Sequence, residues 1–232
     1  MTIARPMVRG IARPMARPLV EGVGAIDPYP GALWAIDWLN EFFAQGGEVQ
    51  PDHTTVAGFT DEGAQDINAD GLLCDGSGYG WLSDPDWPAG DWTFIVQADS
   101  LGTADDRPLF SLRAAGAYDP EFFTYTYNST ANVNAKELVS AATAFEDFVV
   151  DGAPAPVRVV ITKNGTAVRS SANGQGARAL GTWTAFSPTR LHLGVRGDTD
   201  QFRFGGRIGA IVLYGSGMTD GEIEGFSAGP FS

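Results

Sequence analysis

Hydrolysis of a glycosidic bond needs two carboxyl groups flanking the scissile bond, so a strand that does this work must carry both on one face. The nearest candidates are Glu121, Glu146 and Asp147. Neighbouring residues of a strand point to opposite faces, which removes Glu146 with Asp147 as that pair. Nucleophilic catalysis needs an activated hydroxyl or thiol beside a base. Two histidines, His53 and His192, and one cysteine, Cys74, are present, far apart along the chain. These three do not make a zinc site. Cys74 ends the apolar run Leu72-Leu73-Cys74 and reads as a small core residue. His192 falls on the polar face of an alternating run, and His53 follows Asp52 in a loop expected to face solvent. No catalytic residue is expected, and the chain reads as a non-enzyme.

Oxygen ligands at alternate positions with a glycine at the sixth open a calcium loop, and Asp66-Ile67-Asn68-Ala69-Asp70-Gly71 has that form. The glutamate that should close the loop at its twelfth position is Ser77, so an acidic turn before a strand is the favoured account. Asp198 and Asp200 form the best pair among the remaining loop carboxylates, which are common in turns for turn chemistry alone. Calcium, through Asp66, Asn68, Asp70, Asp198 or Asp200, is the one cofactor raised. Trp81, Trp87, Trp92 and Trp183 could stack on sugars, with at least half of them expected in the core.

The N-terminus offers binding of another kind. Residues 3–22 divide into five tetrads, each a large apolar residue, a small apolar one, a charge, then Pro or Gly. Proline at this spacing prevents a continuous helix, and each residue before proline is pushed to extended geometry. Such a ribbon cannot bury its large side chains against itself. It is expected to be an anchor on another subunit, with Ile3, Met7, Ile11, Met15 and Leu19 filling pockets and Arg5, Arg9, Arg13 and Arg17 meeting carboxylates. A disordered basic tail is the plainer alternative. A DNA-binding arm is disfavoured because no aromatic residue interleaves the arginines.

The chain has 232 residues and a net charge of −13. Four of its 15 basic residues lie in residues 1–22 against one of its 28 acidic ones, so the remainder carries −16. That charge repels nucleic acid and argues against it as a partner for the body. No run approaches 18 apolar residues and no continuous apolar stretch follows the arginines, so neither a membrane span nor a signal peptide is expected.

Charged residues make up 19%, with 30 glycines and 14 prolines, which favours strands joined by turns. Three regions are expected: the arm 1–22, a linker with edge strands over 23–69, and a β-sandwich over 70–232. Residues 33–43 are ambiguous. Trp34, Ile36 and Trp38 alternate as in a strand, while Leu33, Ile36, Leu39 and Phe43 fit a helical face; the wealth of Trp and Phe favours strand. Beyond them, strands are expected at 72–75, 79–83, 92–98, 108–113, 122–128, 145–150, 156–163, 166–171, 179–186, 189–196, 202–207 and 208–214. Val157, Val159 and Ile161 alternate with their neighbours, as do Leu191, Leu193 and Val195. An Asn164-Gly165 link predicts a hairpin between the strands on either side. Thr219 with Glu222 three residues on predicts a capping box, with Ile223 and Phe226 docking on the sandwich.

Leu72-Leu73-Cys74-Asp75-Gly76-Ser77-Gly78-Tyr79-Gly80-Trp81-Leu82, the strand at Trp92–Ala98, and the ending Ile208–Tyr214 followed by Thr219-Asp220-Gly221-Glu222-Ile223 resemble concanavalin A-like and laminin G-like domains. The resemblance covers about residues 70–228. It implies an all-β fold, an antiparallel β-sandwich of jelly-roll type, with an extended N-terminal arm. It says little of activity, because this fold hosts lectins, glycosidases and structural modules. The related β-glucanases carry a Glu-x-Asp-x-x-Glu strand, and neither Glu121 nor Glu146-Asp147 has that spacing. The family also binds calcium at rim loops in some members.

Three functions compete. The arm resembles anchor segments of bacteriophage particle proteins, which implies a structural or accessory virion protein, made in the host cytoplasm. Its partners would be other virion proteins, copies of itself and host surface glycans, with no nucleic acid or membrane. The alternatives are a stand-alone carbohydrate-binding module and a glycoside hydrolase of the same fold.

Overall fold

The computed structural model describes residues 27–62, 67–68, 70–74, 79–83, 85–100, 107–114, 121–127, 132–139, 142–150, 156–183, 186–195 and 204–229. The arm residues Ile3, Arg5, Met7, Arg9, Ile11, Arg13, Met15, Arg17 and Leu19, and the candidate ligands Asp66, Asp198 and Asp200, lie outside them.

In chain order the strands are β1 (Ala32–Asp37), β2 (Phe42–Gln45), β3 (Glu48–Val49), β4 (Phe59–Glu62), β5 (Ile67–Asn68), β6 (Gly71–Leu73), β7 (Tyr79–Ser83), β8 (Trp92–Ser100) and β9 (Arg107–Arg113). They continue as β10 (Glu121–Tyr127), β11 (Asn132–Val139), β12 (Ala142–Val150), β13 (Val157–Asn164), β14 (Ala167–Ala172), β15 (Arg178–Thr182), β16 (Arg190–Leu193) and β17 (Arg207–Tyr214), before one helix, α1 (Asp220–Ala228). Two antiparallel sheets result. The larger runs β15-β14-β13-β8-β17-β1-β2-β3, with β6 on β17 and β5 on β6; the smaller runs β12-β11-β10-β9-β16-β7-β4. The fold is an antiparallel β-sandwich. Among the described residues no helix is long and apolar enough to cross a membrane.

The inner faces supply the core. Val157, Val159, Ile161, Leu191, Leu193 and Val195 are all buried, as their spacing predicts. Burying each is worth about 1.5–3 kcal/mol. The alternation is weaker than a one-sided sheet would give, because β13 is covered on its outer side too. Val160 packs there with Ile95, Val212, Ala35 and Ile223 in a second apolar cluster. Strands buried on both faces read as near-continuous apolar runs.

Helix α1 provides that cover, and its start is the expected capping box. The Thr219 amide donates to Glu222 Oε2 (2.7 Å) and the Glu222 amide to Thr219 Oγ1 (3.4 Å). The bond from the Thr219 amide and a second from its hydroxyl hold the Glu222 carboxyl below its ordinary pKa. Ile223 is buried and Phe226 is partly buried against the same cluster. Arg169 on β14 forks onto Asp220 (Nε–Oδ1 2.5 Å, Nη2–Oδ2 2.7 Å) and ties the helix start to the sheet.

Several expectations need correction. Residues 33–43 are two strands, not one, with a turn between Asp37 and Phe42. The expected boundary at residue 70 cuts through the sheet: β1 pairs with β17 on one side and β2 on the other, so part of the supposed linker is interior sheet. Its Trp34 and Ile36 join the main core. The hairpin between β13 and β14 forms, but its two-residue loop is Gly165-Thr166, with Asn164 paired to Ala167 as the last strand residue. Gly165 takes φ +60, and glycine first in a two-residue link marks a type II′ turn. Asn164 instead donates through Nδ2 to the Met218 carbonyl (2.9 Å). The stretch at 204–206, expected to be strand, is irregular, and Asn132–Val139, not anticipated, is β11.

Candidate functional site

The outer side of the smaller sheet collects the polar side chains that strand alternation places away from the core. In β9, β16, β7 and β10 the inward residues are Leu112, Leu191, Leu82 and Phe122, all fully buried in the main cluster. Their neighbours therefore point outward. Register sets two rows there. One runs Ser83, Arg190, Arg113, Glu121 across four adjacent strands. The next runs Thr60, Trp81, His192, Ser111.

Burial divides this surface. Glu121 (0% exposed), Arg113 (4%) and His192 (1%) are covered, while Trp81 and Arg190 are partly exposed. The Arg190 guanidinium lies over the Trp81 ring, 5.4 Å from its centroid. That is within reach of a cation–π attraction, and it fixes the indole on the sheet. Ser111 donates through its hydroxyl to the Val195 carbonyl at 3.4 Å. The site thus pairs a flat apolar ring and a fork of N–H donors at the surface with a buried polar layer beneath. Such a surface can stack a ring and donate to hydroxyl or carboxylate oxygens. Among the described side chains, Glu121 is the one carboxylate on these rows, so no same-face acid pair is on view.

Other sequence candidates are elsewhere. Trp87, Trp92 and Trp183 are buried and stack edge to face, with centroids 5.2 Å and 5.3 Å apart, leaving Trp81 alone of the four at the surface. His192 points outward as expected but is buried rather than solvated. His53 is not an open loop residue: it is half-buried, its ring 5.3–6.0 Å from those of Trp38, Phe43 and Phe59. Cys74 is a buried core thiol. Asn68 and Asp70 sit at the β5–β6 turn, where Asn68 Oδ1 accepts from the Asp70 amide (2.7 Å) and from Arg207 Nη1 (3.3 Å). That oxygen faces a guanidinium, and the pairing Asn68↔Gly71 makes a tight hairpin rather than a wide loop. Gly71 is required there: at φ +105 its Cα is so close to β17 that a Cβ would meet the Ile208 carbonyl at 2.3 Å. Among the described residues no three His, Cys, Asp or Glu side chains gather to hold a metal ion. The sequence reading missed Arg190, Arg113, Ser111 and the row that joins them to Glu121. Their period-two spacing was visible, but the register that sets them side by side was not.

No family model matches the chain, and no curated protein does. Solved structures do. Domain 4 of AbnA, an extracellular arabinanase from Geobacillus stearothermophilus solved with arabinotriose, is 15% identical and covers 84% of this chain and 98% of that one, with a TM-score of 0.58. The CBM40 domain of the Ruminococcus gnavus IT-sialidase is 18% identical over 61% of this chain and 84% of that one, at 0.50. The receptor-binding domain of a botulinum neurotoxin C/D mosaic is 9% identical over 85% and 51%, at 0.56. At these identities the likeness is one of fold, an antiparallel β-sandwich.

Proposed function

We propose that the chain is a carbohydrate-binding β-sandwich that holds glycan on the outer side of its smaller sheet. The observation that carries this reading is Trp81. Of the six tryptophans it alone is not buried, and Arg190 stacks on it above the polar row. A sugar ring has an apolar C–H face that suits an indole and hydroxyls that suit a guanidinium. The arabinotriose in the similar arabinanase domain supports the class of ligand, though not its identity. The test is a glycan array probed with the purified chain and with Trp81→Ala. The reading expects retention of at least one glycan class and a loss of tenfold or more in the variant. Retention of none, or equal retention by both proteins, would sink it.

The chain binds without cleaving, on this reading, because the described part of the face has Glu121 but no partner acid for it. Chromatography of the bound glycan after prolonged incubation should return it intact. Shorter products whose formation stops in Glu121→Gln would overturn this.

A second reading, as a component of a phage particle, has the tetrapeptide arm behind it. Five apolar anchors spaced by four residues would span up to about 50 Å if extended at ~3.3 Å per residue. Removal of residues 1–22 should leave a folded sandwich of lower oligomeric order. An unchanged oligomeric state would count against the anchor.

A further inference from the structure

The outer side of the larger sheet also has a polar row, separate from the face bearing Trp81. Register places Asp37, Ala210, Gln97 and Arg158 side by side on β1, β17, β8 and β13. Asn173 follows β14 and extends the row. Beside it, between the Leu39-Asn40 turn and the C-terminal end of α1, lies a cavity of about 430 Å³ lined by Asn40, Gln97, Arg158, Asn173, Ser227 and Gly229 among others. That volume lies in the ~300–1,000 Å³ range of small-molecule sites.

Arg158 is the one charged residue among the described residues of the lining, and it is 6% exposed. Its Nη2 donates to Gln97 Oε1 (2.7 Å) and its Nη1 to the Phe226 carbonyl (3.3 Å). Burial lowers its pKa, and the nearby Asp37 charge opposes that shift. The backbone of Arg158 is held by Asn173. The Arg158 amide donates to Asn173 Oδ1 (2.8 Å) and the Asn173 amide to the Arg158 carbonyl (3.1 Å), with Asn173 in the left-handed region at φ +48. Asn40 is fixed in turn by Asp37, which accepts from its amide (3.1 Å) and its Nδ2 (2.8 Å) as well as from the Tyr29 hydroxyl. Small residues keep the space open: a Cβ on Gly229 would come no nearer than 3.9 Å to Arg158 Nη1.

The lining selects among ligands. Among the described residues it has no aromatic ring, so a neutral sugar finds no stacking surface there. Asp37 stands in the same row as Arg158, so a single negative charge fits and a dianion is repelled. A planar carboxylate matches the guanidinium fork. We propose that this cavity binds a small hydroxylated carboxylate, such as a uronic acid, with the carboxylate on Arg158 and the hydroxyls on the amides of Asn40, Gln97 and Asn173.

The experiment is a titration of the full chain with sodium D-galacturonate, sodium tartrate, D-galactose and sodium phosphate, followed by amide chemical shifts. Galacturonate should bind, and galactose and phosphate should bind at least tenfold more weakly. Tartrate binding alongside galacturonate would make the free hydroxy acid the ligand class; galacturonate alone would make it the acidic sugar ring. Because Arg158→Gln also removes a bond to α1, the deciding variant is Gly229→Phe, which fills the cavity and keeps the arginine. It should weaken galacturonate at least tenfold, while Trp81→Ala leaves it unchanged. The proposal fails if neither carboxylate binds, if galactose or phosphate binds as well, or if the loss follows Trp81→Ala instead of Gly229→Phe.

Discussion

The two sheets of this sandwich treat their outer sides in opposite ways. The larger sheet is roofed by its own C-terminal helix, and the rows beneath it grade from hydroxyls to apolar groups to charge. Thr93 and Thr162 share a hydrogen bond at 3.0 Å, Ile95, Val160, Val212 and Ala35 form the apolar row, and Gln97, Arg158 and Asp37 form the polar one. The smaller sheet has no such apolar row among its described outer residues: it presents Trp81 on a bed of Arg, Glu, His and Ser. The difference separates stability from recognition. Apolar burial on a second face adds to the folding free energy, whereas a partly exposed aromatic on a polar face leaves apolar surface available to a ligand.

That contrast can be broken by substitution. Ile223→Ala under the helix should cost about 2–5 kcal/mol in urea unfolding, the usual penalty for truncating a buried isoleucine, and should leave glycan retention by the other face unchanged. A cost below ~1 kcal/mol would show that the helix is not a roof on which the sheet depends. Thr219→Ala, which removes the capping hydroxyl, should cost about 1 kcal/mol by the same measurement. An unchanged unfolding midpoint would remove the capping box from the account.

Tyr214 sharpens the comparison through pH. Burial pushes its phenol up to about 12, with the Asp27 charge adding to the effect, and its hydroxyl has no hydrogen-bond partner among the described residues. A raised pKa means that the folded state keeps its proton longer than the unfolded chain. The associated stability is complete below the ordinary value near 10 and falls as pH rises from there through about 12. Tyr29, raised by burial and by the nearby Asp37 carboxylate, acts in the same direction. Tyr214→Phe should therefore flatten the alkaline fall and should not destabilise the protein at neutral pH, since it removes an unsatisfied buried hydroxyl. A loss of stability at pH 7 would mean that the hydroxyl has a partner after all. The smallest effect on stability belongs to Trp81→Ala, about 0.5–1 kcal/mol for the lost contact with Arg190. A cost of several kcal/mol would make Trp81 a core residue.

Much of the fold was legible in the sequence for physical reasons that can be named. The Thr219–Glu222 spacing specifies a cap because both bonds are local. Val157, Val159 and Ile161 were legible as an inner face by period two alone. What distance along the chain conceals was not legible. Nothing in residues 32–37 says that they pair with β17, some 175 residues on, so the strand reads as an edge strand outside the sandwich and not as interior sheet. β11 was missed because the alternation of Val133 and Ala135 with Asn132, Asn134 and Lys136 is short, breaks at Glu137 and holds one large apolar residue. The candidate site was legible only in its tryptophans, because the exposure that singles out Trp81 is a property of packing. Arg190, Arg113 and Glu121 come from three strands, and only register makes them neighbours.

The central claim is that Trp81 meets the glycan. Its indole N–H gives one of six tryptophan side-chain signals in a nitrogen–proton correlation spectrum, and the other five belong to buried rings. Titration with a glycan retained on the array should shift the Trp81 signal, assigned by its absence in Trp81→Phe, and leave the other five within the line width. A titration that saturates while the Trp81 signal stays in place would contradict the account.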